Sequence, residues 1–363
     1  MSNSCLDEIA RSLVVEPLAA PAASVAVAIV DGAGWRVESG AAGRVGERSA
    51  SRDTLFDLAS VTKPFLAATT ARLVRQGRLS FETPLESLLV EARGTPSGSA
   101  TVELLLSHRA GLDAHRALFA PLLAEAPLER QVAIREATRA VRPRMGAGSS
   151  IEQPPLYSDL GYFLLGVALE RLTHRPLDEL IAEQVCAPLA LEVGSARQLR
   201  RRIPDFAQRV APTEVVPFRG GQVHGVVHDE NAWALAGHGA AGHAGLFGAV
   251  ESIARFGAAL LDALHERSDE WLDRASVSEL VRPRGGGTLR AGFDGKSSEG
   301  SSAGARASAQ SFGHLGFTGT SLWCDPELCR ATALLSNRVC PTRNNAQIRL
   351  ARPAVHDALF GLP

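Results

Sequence analysis

Phe56–Pro64 has the sequence FDLASVTKP, in which Ser60 and Lys63 stand three positions apart. If a helix begins at Ser60, residues three apart share one face, so the Lys63 amine lies near the Ser60 hydroxyl. Pro64 favours that start, because proline is tolerated in the first turn, where its missing N–H has no partner anyway. A serine at a helix N-terminus also has backbone N–H groups nearby that can hold an oxyanion. The stretch therefore predicts a serine nucleophile with a lysine beside it.

Lysine is almost absent from this chain, which makes the one at position 63 informative. Lys63 and Lys296 are the only lysines among 38 basic residues, and the rest are arginine. A surface role would have drawn arginine, whereas burial can lower the pKa of a lysine until it serves as a base. We therefore expect Lys63 to be largely buried and at least partly neutral when the enzyme acts. The alternative is a chance S-x-x-K pattern on a helix surface.

A second candidate group is Tyr157, which stands with Ser158 and Asp159 just before the predicted helix Leu160–Leu172. A phenol at a helix entry can accept the serine proton or pass it to a leaving group, provided that nearby cations lower its pKa. The alternative is that Ser158 or Asp159 caps the helix and Tyr157 packs beneath it. The two interpretations are compatible.

A third candidate region is Phe312–Trp323, with the sequence FGHLGFTGTSLW. We predict one strand over Phe312–Leu322, with glycines that permit close approach of the backbone to a ligand. His314 offers a titratable group there, and the backbone N–H of Phe317 is a candidate second oxyanion donor. A lone histidine on a strand is more often simply packed, so this region carries little weight alone.

The order of the three motifs resembles the serine β-lactamase and penicillin-binding-protein superfamily. In detail the chain is similar to the class C-like branch, which also contains esterases, D-amino-acid peptidases, muramyl-peptide amidases and acyltransferases. The resemblance spans about Ser24 to Leu359. Further segments that carry it are Leu104–Leu112, Gly161–Gly166, Val227–Ala232 and Gly242–Phe247.

This resemblance implies roles for seven residues. They are Ser60 as the acylated nucleophile, Lys63 and Tyr157 as the proton-handling pair, His314 on the strand beside the substrate, and Asp159, Gly316 and Phe317 at the substrate or oxyanion. Whether the lysine or the tyrosine is the general base stays open. The resemblance also suggests that His228 and Asp229 belong to a loop bordering the serine pocket, but no role is assigned to them or to His243.

Two departures from the family pattern bear on the substrate. Asp159 stands where β-lactamases usually carry Asn, and His314 stands where they carry Lys. A histidine with an unperturbed pKa of ~6.5 is mostly neutral at pH 7, so attraction for an anionic β-lactam should be weak. We therefore predict a serine hydrolase acting on a small ester, a D-amino-acid peptide or a muramyl peptide. The alternatives are a true β-lactamase, an acyltransferase or a non-catalytic penicillin-recognising sensor.

The order of predicted elements indicates an α/β (α+β) fold, with an antiparallel sheet built from both chain ends, flanked by helices, and a mostly helical insertion. We place an α/β subdomain at residues 1–60 and 235–363, a mainly helical subdomain at 61–234, and the active site between them. The residues between 202 and 248 are predicted as loops and short strands. Predicted helices are Leu6–Val15, Phe56–Leu79, Val102–Leu106, Leu118–Val141, Leu177–Val185, Glu251–Leu264 and Asn345–Leu359; predicted strands are Ser24–Asp31, Trp35–Gly40 and Ala331–Asn337.

Composition restricts the partners. With 38 basic and 39 acidic residues spread along the chain, a nucleic-acid partner is disfavoured, and the cluster Arg200–Arg202 is expected at a loop edge. The N-terminal residues show no secretory signal, and we expect a cytoplasmic protein without membrane insertion. Five unpatterned cysteines suit reduced thiols. We expect a small-molecule or peptide substrate and no cofactor, and leave the oligomeric state open.

Two competing motifs are weaker. Gly300–Gly304 matches the G-x-S-x-G nucleophile elbow, but no apolar strand precedes it, so we predict a flexible loop. A metal site is suggested by the cluster His224, His228, Asp229, His238 and His243. The surrounding glycines make the required helix improbable, and no metal is expected.

Overall fold

The computed structural model describes residues 3–15, 18–32, 34–143 and 152–363. The helices are α1 (Asn3–Val14), α2 (Thr62–Arg75), α3 (Leu85–Leu88), α4 (Val102–Leu106), α5 (Ala120–Leu123), α6 (Arg130–Arg139), α7 (Asp159–Thr173), α8 (Leu177–Ile181), α9 (Ala196–Arg202), α10 (Phe206–Arg209), α11 (Glu230–Ala236), α12 (Val250–Leu264), α13 (Arg274–Val281) and α14 (Ile348–Phe360). The strands are β1 (Ala22–Asp31), β2 (Gly34–Val45), β3 (Arg48–Ser49), β4 (Phe56–Asp57), β5 (Val193–Ser195), β6 (Val215–Val216), β7 (Gly221–Gln222), β8 (Leu246–Gly248), β9 (Asp294–Gly295), β10 (Phe312–Leu315), β11 (Ser321–Asp325) and β12 (Arg330–Ser336).

Seven strands form one antiparallel sheet in the order β3-β2-β1-β12-β11-β10-β9. The N-terminal strand β1 lies beside the late strand β12, so both chain ends build the sheet. Alternate residues of β1 face opposite helices: Val25 and Val27 pack in one apolar cluster with α1 and α14, while Ala26 and Ala28 pack in the main core with α12. The predicted fold class is confirmed. The division at residues 60 and 234 stays a prediction.

A small sheet of three strands, β4-β8-β5, joins the segment before Ser60 to the segment after residue 243. The Leu58 N–H donates to the Leu246 carbonyl at 2.9 Å, and the Leu246 N–H donates to the Thr62 hydroxyl at 3.3 Å. These bonds fix the start of α2 against a loop that is distant in sequence.

The predicted helix Phe56–Leu79 is wrong in its first turn and a half. Phe56 and Asp57 form strand β4, residues 59–61 form a 3₁₀ turn, and α2 begins at Thr62. The Asp57 carboxylate accepts the Ala59 N–H at 2.8 Å, and Ala59 has a φ of 47°. A non-glycine residue in the left-handed region is strained and is often found at functional sites, which helical periodicity alone does not reveal.

The single strand predicted over Phe312–Leu322 is a hairpin. Strand β10 ends at Leu315, a turn follows, and β11 begins at Ser321. The Gly316 N–H donates to the Thr320 carbonyl at 2.7 Å, and Gly319 has a φ of 106°, which favours glycine. The glycines interpreted as points of ligand approach therefore also serve to make this turn.

Three other predictions need correction. The helix expected over Leu118–Val141 is two helices, α5 and α6, because Pro127 lies between them and cannot continue a helix. Arg200–Arg202 lie in the last turn of α9, not at a loop edge, and the loop region before residue 248 contains α10 and α11. Gly300–Gly304 is a loop, as predicted, and the five cysteines are free thiols. The turn predicted at residues 32–34 includes Ala33, which lies outside the described residues.

Within the described ranges, every helix is too short or too polar to cross a bilayer.

Candidate active site

Ser60 lies in the 3₁₀ turn that leads into α2 and lines a cleft of about 660 Å³. Lys63, in the first turn of α2, has a fully buried side chain, and its Nζ lies 3.0 Å from Ser60 Oγ. The proximity predicted from the three-residue spacing is therefore present, although a 3₁₀ turn rather than the α-helix itself provides part of it.

The Lys63 amine has three hydrogen-bonding partners, which equals the number of donors of an ammonium group. Besides Ser60 Oγ, it donates to Asp159 Oδ1 at 2.7 Å and to the His243 carbonyl at 3.2 Å. Asp159 was expected at the substrate. Its side chain lines the cleft, but its carboxylate forms an ion pair with Lys63.

Lys63 is buried, as predicted, but its pKa is not lowered as the sequence argument assumed. Burial alone would lower the pKa of Lys63, but the charge and hydrogen bond of Asp159, together with Tyr157, overcome it and raise the pKa above its ordinary value. Sequence reasoning included burial but not the carboxylate that comes with it. Lys63 is therefore an ammonium ion in this hydrogen-bonding arrangement.

Tyr157 lies directly before α7 and also lines the cleft. Lys63 Nζ lies 4.8 Å from the centre of its ring. Burial raises the pKa of Tyr157, although the Lys63 charge and contacts with Lys63 and Ser60 act to lower it. The Lys63 charge therefore acts to lower this pKa but does not outweigh burial, and the group is a neutral phenol at pH 7.

His108, within the family-like segment Leu104–Leu112, holds Tyr157 in place. Its ring stacks on the Tyr157 ring with 4.6 Å between centres, and its Nδ1 accepts the Ser158 N–H at 2.9 Å. Burial, then the charge of Lys63, lowers the pKa of His108 well below its ordinary value, so the ring is neutral. Ser158 is also the N-cap of α7, and its hydroxyl accepts the Gly161 N–H at 3.4 Å. Capping and placement of the phenol therefore coexist.

His314 lies on β10 and is buried. Burial and the charge of Lys63 lower the pKa of His314 to about 3, so it is neutral at pH 7, as expected. Its Nδ1 lies 2.8 Å from the Leu315 carbonyl, and its ring centre lies 6.0 Å from that of Tyr157. The imidazole therefore occupies the site without adding charge.

The turn after β10 brings a second backbone donor toward Ser60. Thr318 Oγ1 donates to the Asp57 carbonyl at 2.7 Å, and Thr320 Oγ1 donates to the Leu58 carbonyl at 2.9 Å. A Cβ on Gly316 would lie 2.5 Å from the Leu58 carbonyl oxygen, so only glycine permits this approach. Among the described residues the Phe317 N–H has no acceptor, and the Ser60 N–H, near the start of its turn, has none within that helix.

Sequence reasoning missed a set of arginines at the cleft. Arg338 follows β12, and Arg349 and Arg352 lie one turn apart on α14; all three line the cleft and have no carboxylate partner among the described residues. Arg352 is only 9 % exposed, and burial, then repulsion by Arg338, lowers its pKa to about 10. Arg343, by contrast, pairs with Glu214 and Glu230. The spacing of the two helical arginines was the available signal.

The histidines considered as metal ligands have separate partners. His224 Nε2 lies 3.0 Å from the Val210 carbonyl, His228 Nε2 lies 2.9 Å from Glu214, and His243 Nε2 lies 2.9 Å from Asp229. No group of three ligands is found over the described part of the chain. His228 and Asp229 border the serine pocket, as the family resemblance suggested.

The chain is similar to known proteins in sequence and in fold. A family model described as Beta-lactamase matches residues 11–356. The chain is 29 % identical over 304 residues to an N-acetylmuramyl-L-alanine amidase of Bacillus subtilis, covering 78 % of this chain and 68 % of that protein. It is 27 % identical over 316 residues to a putative D-alanyl-D-alanine carboxypeptidase of Salmonella agona, covering 80 % and 70 %.

Two solved structures share the fold. A penicillin-binding-protein homologue from Caulobacter crescentus has a TM-score of 0.67 and 21 % identity, covering 97 % of this chain and 96 % of that chain. EstCE1, described as a hydrolase with promiscuous acyltransferase activity, has a TM-score of 0.69 and 18 % identity, covering 99 % and 98 %. At this identity the likeness concerns the fold alone.

Proposed function

The chain belongs to the beta-lactamase family and is a serine-type hydrolase of amide or ester bonds, and we propose that Ser60 is its nucleophile and a carboxylate-bearing peptide-like amide its substrate. The observation that carries the proposal is the hydrogen bond of 3.0 Å between Lys63 Nζ and Ser60 Oγ at the floor of the cleft. D-amino-acid peptides and muramyl peptides are the first candidates, and small esters are simpler substrates of the same chemistry.

Acylation begins with transfer of the Ser60 proton. Because Lys63 is an ammonium ion, it must first release a proton, and Asp159 Oδ1 at 2.7 Å is the acceptor within reach. A bound substrate displaces water from the cleft, and this loss of hydration favours the neutral amine and carboxylic acid relative to the ion pair. The amine then takes the Ser60 proton while Oγ attacks the substrate carbonyl.

The backbone N–H groups of Ser60 and Phe317 are proposed to bind the resulting oxyanion. Collapse of the tetrahedral intermediate breaks the carbonyl–nitrogen bond, and the Tyr157 phenol supplies a proton to the leaving nitrogen. The phenol recovers its proton from Lys63. Water then attacks the acyl-enzyme, and the same groups act in reverse.

The arginines support a carboxylate on the substrate. Arg338 and Arg352 are largely buried and donate to backbone carbonyls but to no carboxylate, whereas Arg349 is exposed. A ligand carboxylate would supply the negative charge that the two buried guanidinium groups lack. His314 is neutral and so does not attract an anionic substrate, as the sequence argument predicted. Positive charge at the cleft comes instead from the arginines of α14 and from Arg338 after β12. An anionic substrate is therefore favoured.

A panel of substrates tests the proposal. Wild type and Ser60→Ala are compared with a p-nitrophenyl ester, nitrocefin, D-alanyl peptides and muramyl peptides, and by labelling with a fluorophosphonate. We expect turnover of at least one amide, labelling on Ser60 and loss of both in the folded Ser60→Ala protein. Labelling that persists, or an adduct on Ser302, contradicts the assignment of the nucleophile.

The panel also separates the alternatives. Fastest turnover of nitrocefin identifies a β-lactamase, and formation of an ester or amide with an added alcohol or amine identifies an acyltransferase. A stable acyl-enzyme without turnover identifies a sensor, and each of these outcomes overturns the proposed substrate class.

A further inference from the structure

The third hydrogen bond of Lys63 ends on a backbone carbonyl, that of His243. This carbonyl belongs to the loop between α11 and β8, which packs closely on α7. A Cβ on Gly242 would lie 1.8 Å from the Tyr162 carbonyl oxygen, so the loop backbone touches that helix directly. The position of one Lys63 partner is thus set by the conformation of this loop.

The side chain of His243 has one hydrogen-bonding partner in the described structure. It is 3 % exposed, and its Nε2 lies 2.9 Å from Asp229 Oδ1. Its Nδ1 is buried and has no partner there, while Phe163 contacts the ring edge-on at 6.5 Å between centres. Because a buried polar ring is oriented mainly by its hydrogen bonds, Asp229 fixes this ring and, through it, the adjoining carbonyl.

Asp229 is itself firmly held. It is the N-cap of α11, where Oδ1 accepts the Ala232 N–H at 2.8 Å, and it lines the cleft beside Ser60. Burial alone would raise the pKa of Asp229, but His243, Ala232 and the charge of Lys63 hold it well below its ordinary value. Asp229 is therefore a carboxylate at neutral pH.

We propose that Asp229 and His243 form a positioning pair for Lys63: the pair fixes the third acceptor of the ammonium group and places a second carboxylate near it. The inference rests on the proposed role of Lys63 as proton carrier. It gives Asp229 and His243 a function in the reaction without contact with the reacting atoms.

Other groups also act on Lys63, and the test must separate them from Asp229. The titratable groups that face it are Asp159 and Tyr162 from α7, Tyr157 before α7, His108 after α4 and His314 from β10. Of these, only Asp159 is an anion at neutral pH. Removal of the Asp229 charge alone should therefore lower the pKa of Lys63 while the ion pair with Asp159 remains.

The scarcity of lysine permits a direct measurement. Protein labelled with ¹³C at lysine Cε gives two signals, from Lys63 and Lys296, and Lys296→Arg assigns them. The variant Asp229→Asn keeps an oxygen that can cap α11 and accept from His243, and removes only the charge. A matched control is Asp273→Asn, because Asp273 caps α13 through the Ser276 N–H at the same distance of 2.8 Å, near the far end of α2.

We expect the Lys63 titration to move to lower pH by about 1 unit in Asp229→Asn, the lower end of the ~1–3 units exerted by a close opposite charge, and to stay unchanged in Asp273→Asn. A titration that moves in neither variant, or equally in both, overturns the electrostatic part of the proposal. The result does not depend on turnover, so it remains readable if the substrate panel fails.

A second variant tests positioning. His243→Phe keeps a buried ring but removes the bond to Asp229, and we expect kcat for a p-nitrophenyl ester to fall about tenfold with KM within twofold of wild type, a kinetic pattern typical of a lost transition-state contribution. His243→Asn supplies a hydrogen-bond donor but should not restore kcat, because Asn is too short to fill the space of the ring. Unchanged kcat in His243→Phe overturns the positioning role.

Discussion

Two parts of the site differ in how charge is compensated. One is formed around Lys63 by α7 and the start of α11, and the other by α14 and the residues after β12. In the first, Lys63 pairs with Asp159, and Asp229 is bonded to His243. In the second, Arg338, Arg349 and Arg352 have no carboxylate partner within the described residues.

This difference suggests that the first part of the site carries out proton transfer and that the second binds an anionic ligand. Charges that neutralise one another inside the protein can exchange protons without a ligand, as chemistry at Ser60 requires. Charges left without partners gain most from a ligand of opposite sign.

The first prediction concerns the proton carrier. Lys63→Arg keeps the cation beside Asp159 but cannot release a proton, because guanidinium does not deprotonate in proteins. We expect kcat for a p-nitrophenyl ester to fall by ~10²–10⁴, the usual contribution of general acid–base catalysis. The control is Lys296→Arg, on the loop after β9, which should leave kcat unchanged. Near-normal turnover in Lys63→Arg would indicate that Tyr157, and not Lys63, is the general base.

The second prediction concerns the partner of that cation. Asp159→Asn removes the charge that raises the pKa of Lys63, so burial dominates and the amine becomes neutral at lower pH. We expect kcat/KM at pH 7 to stay within about tenfold of wild type and its rising limb to move to lower pH. A loss as large as that in Lys63→Arg would mean that burial alone does not make Lys63 neutral at pH 7.

The third prediction concerns the uncompensated arginines. Arg349 is exposed, so Arg349→Gln should leave the fold intact. We expect KM for a carboxylate-bearing peptide to rise about fivefold, equivalent to ~1 kcal/mol, with little change for a neutral ester. Arg201→Gln, an exposed arginine outside the cleft, is the control. An equal change for both substrates would show that Arg349 does not read substrate charge.

The fourth prediction concerns the dependence of stability on pH that arises from the buried, neutral ring of His314. The pKa of His314 is about 3 in the folded protein and ~6.5 when unfolded, so its neutral form contributes stability above pH 6.5 that is lost as pH falls toward 3. In His314→Gln the fall in Tm between pH 6.5 and pH 4 should be smaller than in wild type, while the exposed His265→Gln should behave as wild type. An identical acid dependence in all three proteins would contradict burial of a neutral His314.

Several features of the fold follow from local sequence. The β1–β2 hairpin, α4, α7 and α12 have apolar periodicity, and their bounds agree with prediction within a few residues. The hairpin at β10–β11 and the 3₁₀ turn before Ser60 do not follow from periodicity. They depend on bonds such as Thr318 to the Asp57 carbonyl, 261 positions apart, which no local pattern contains.

The candidate site divides in the same way. Local sequence alone places Ser60 and Lys63 on one face and Tyr157 directly before the N-cap of a helix. Both follow from helix geometry, which fixes contacts over three or four residues. The tertiary structure decided the charge of Lys63, because Asp159 and the His243 carbonyl come from positions 96 and 180 residues away. The tertiary structure also decided which arginines at the cleft have no carboxylate partner among the described residues. Electrostatic energies depend on distances in space and on burial, and neither is fixed until the chain has folded.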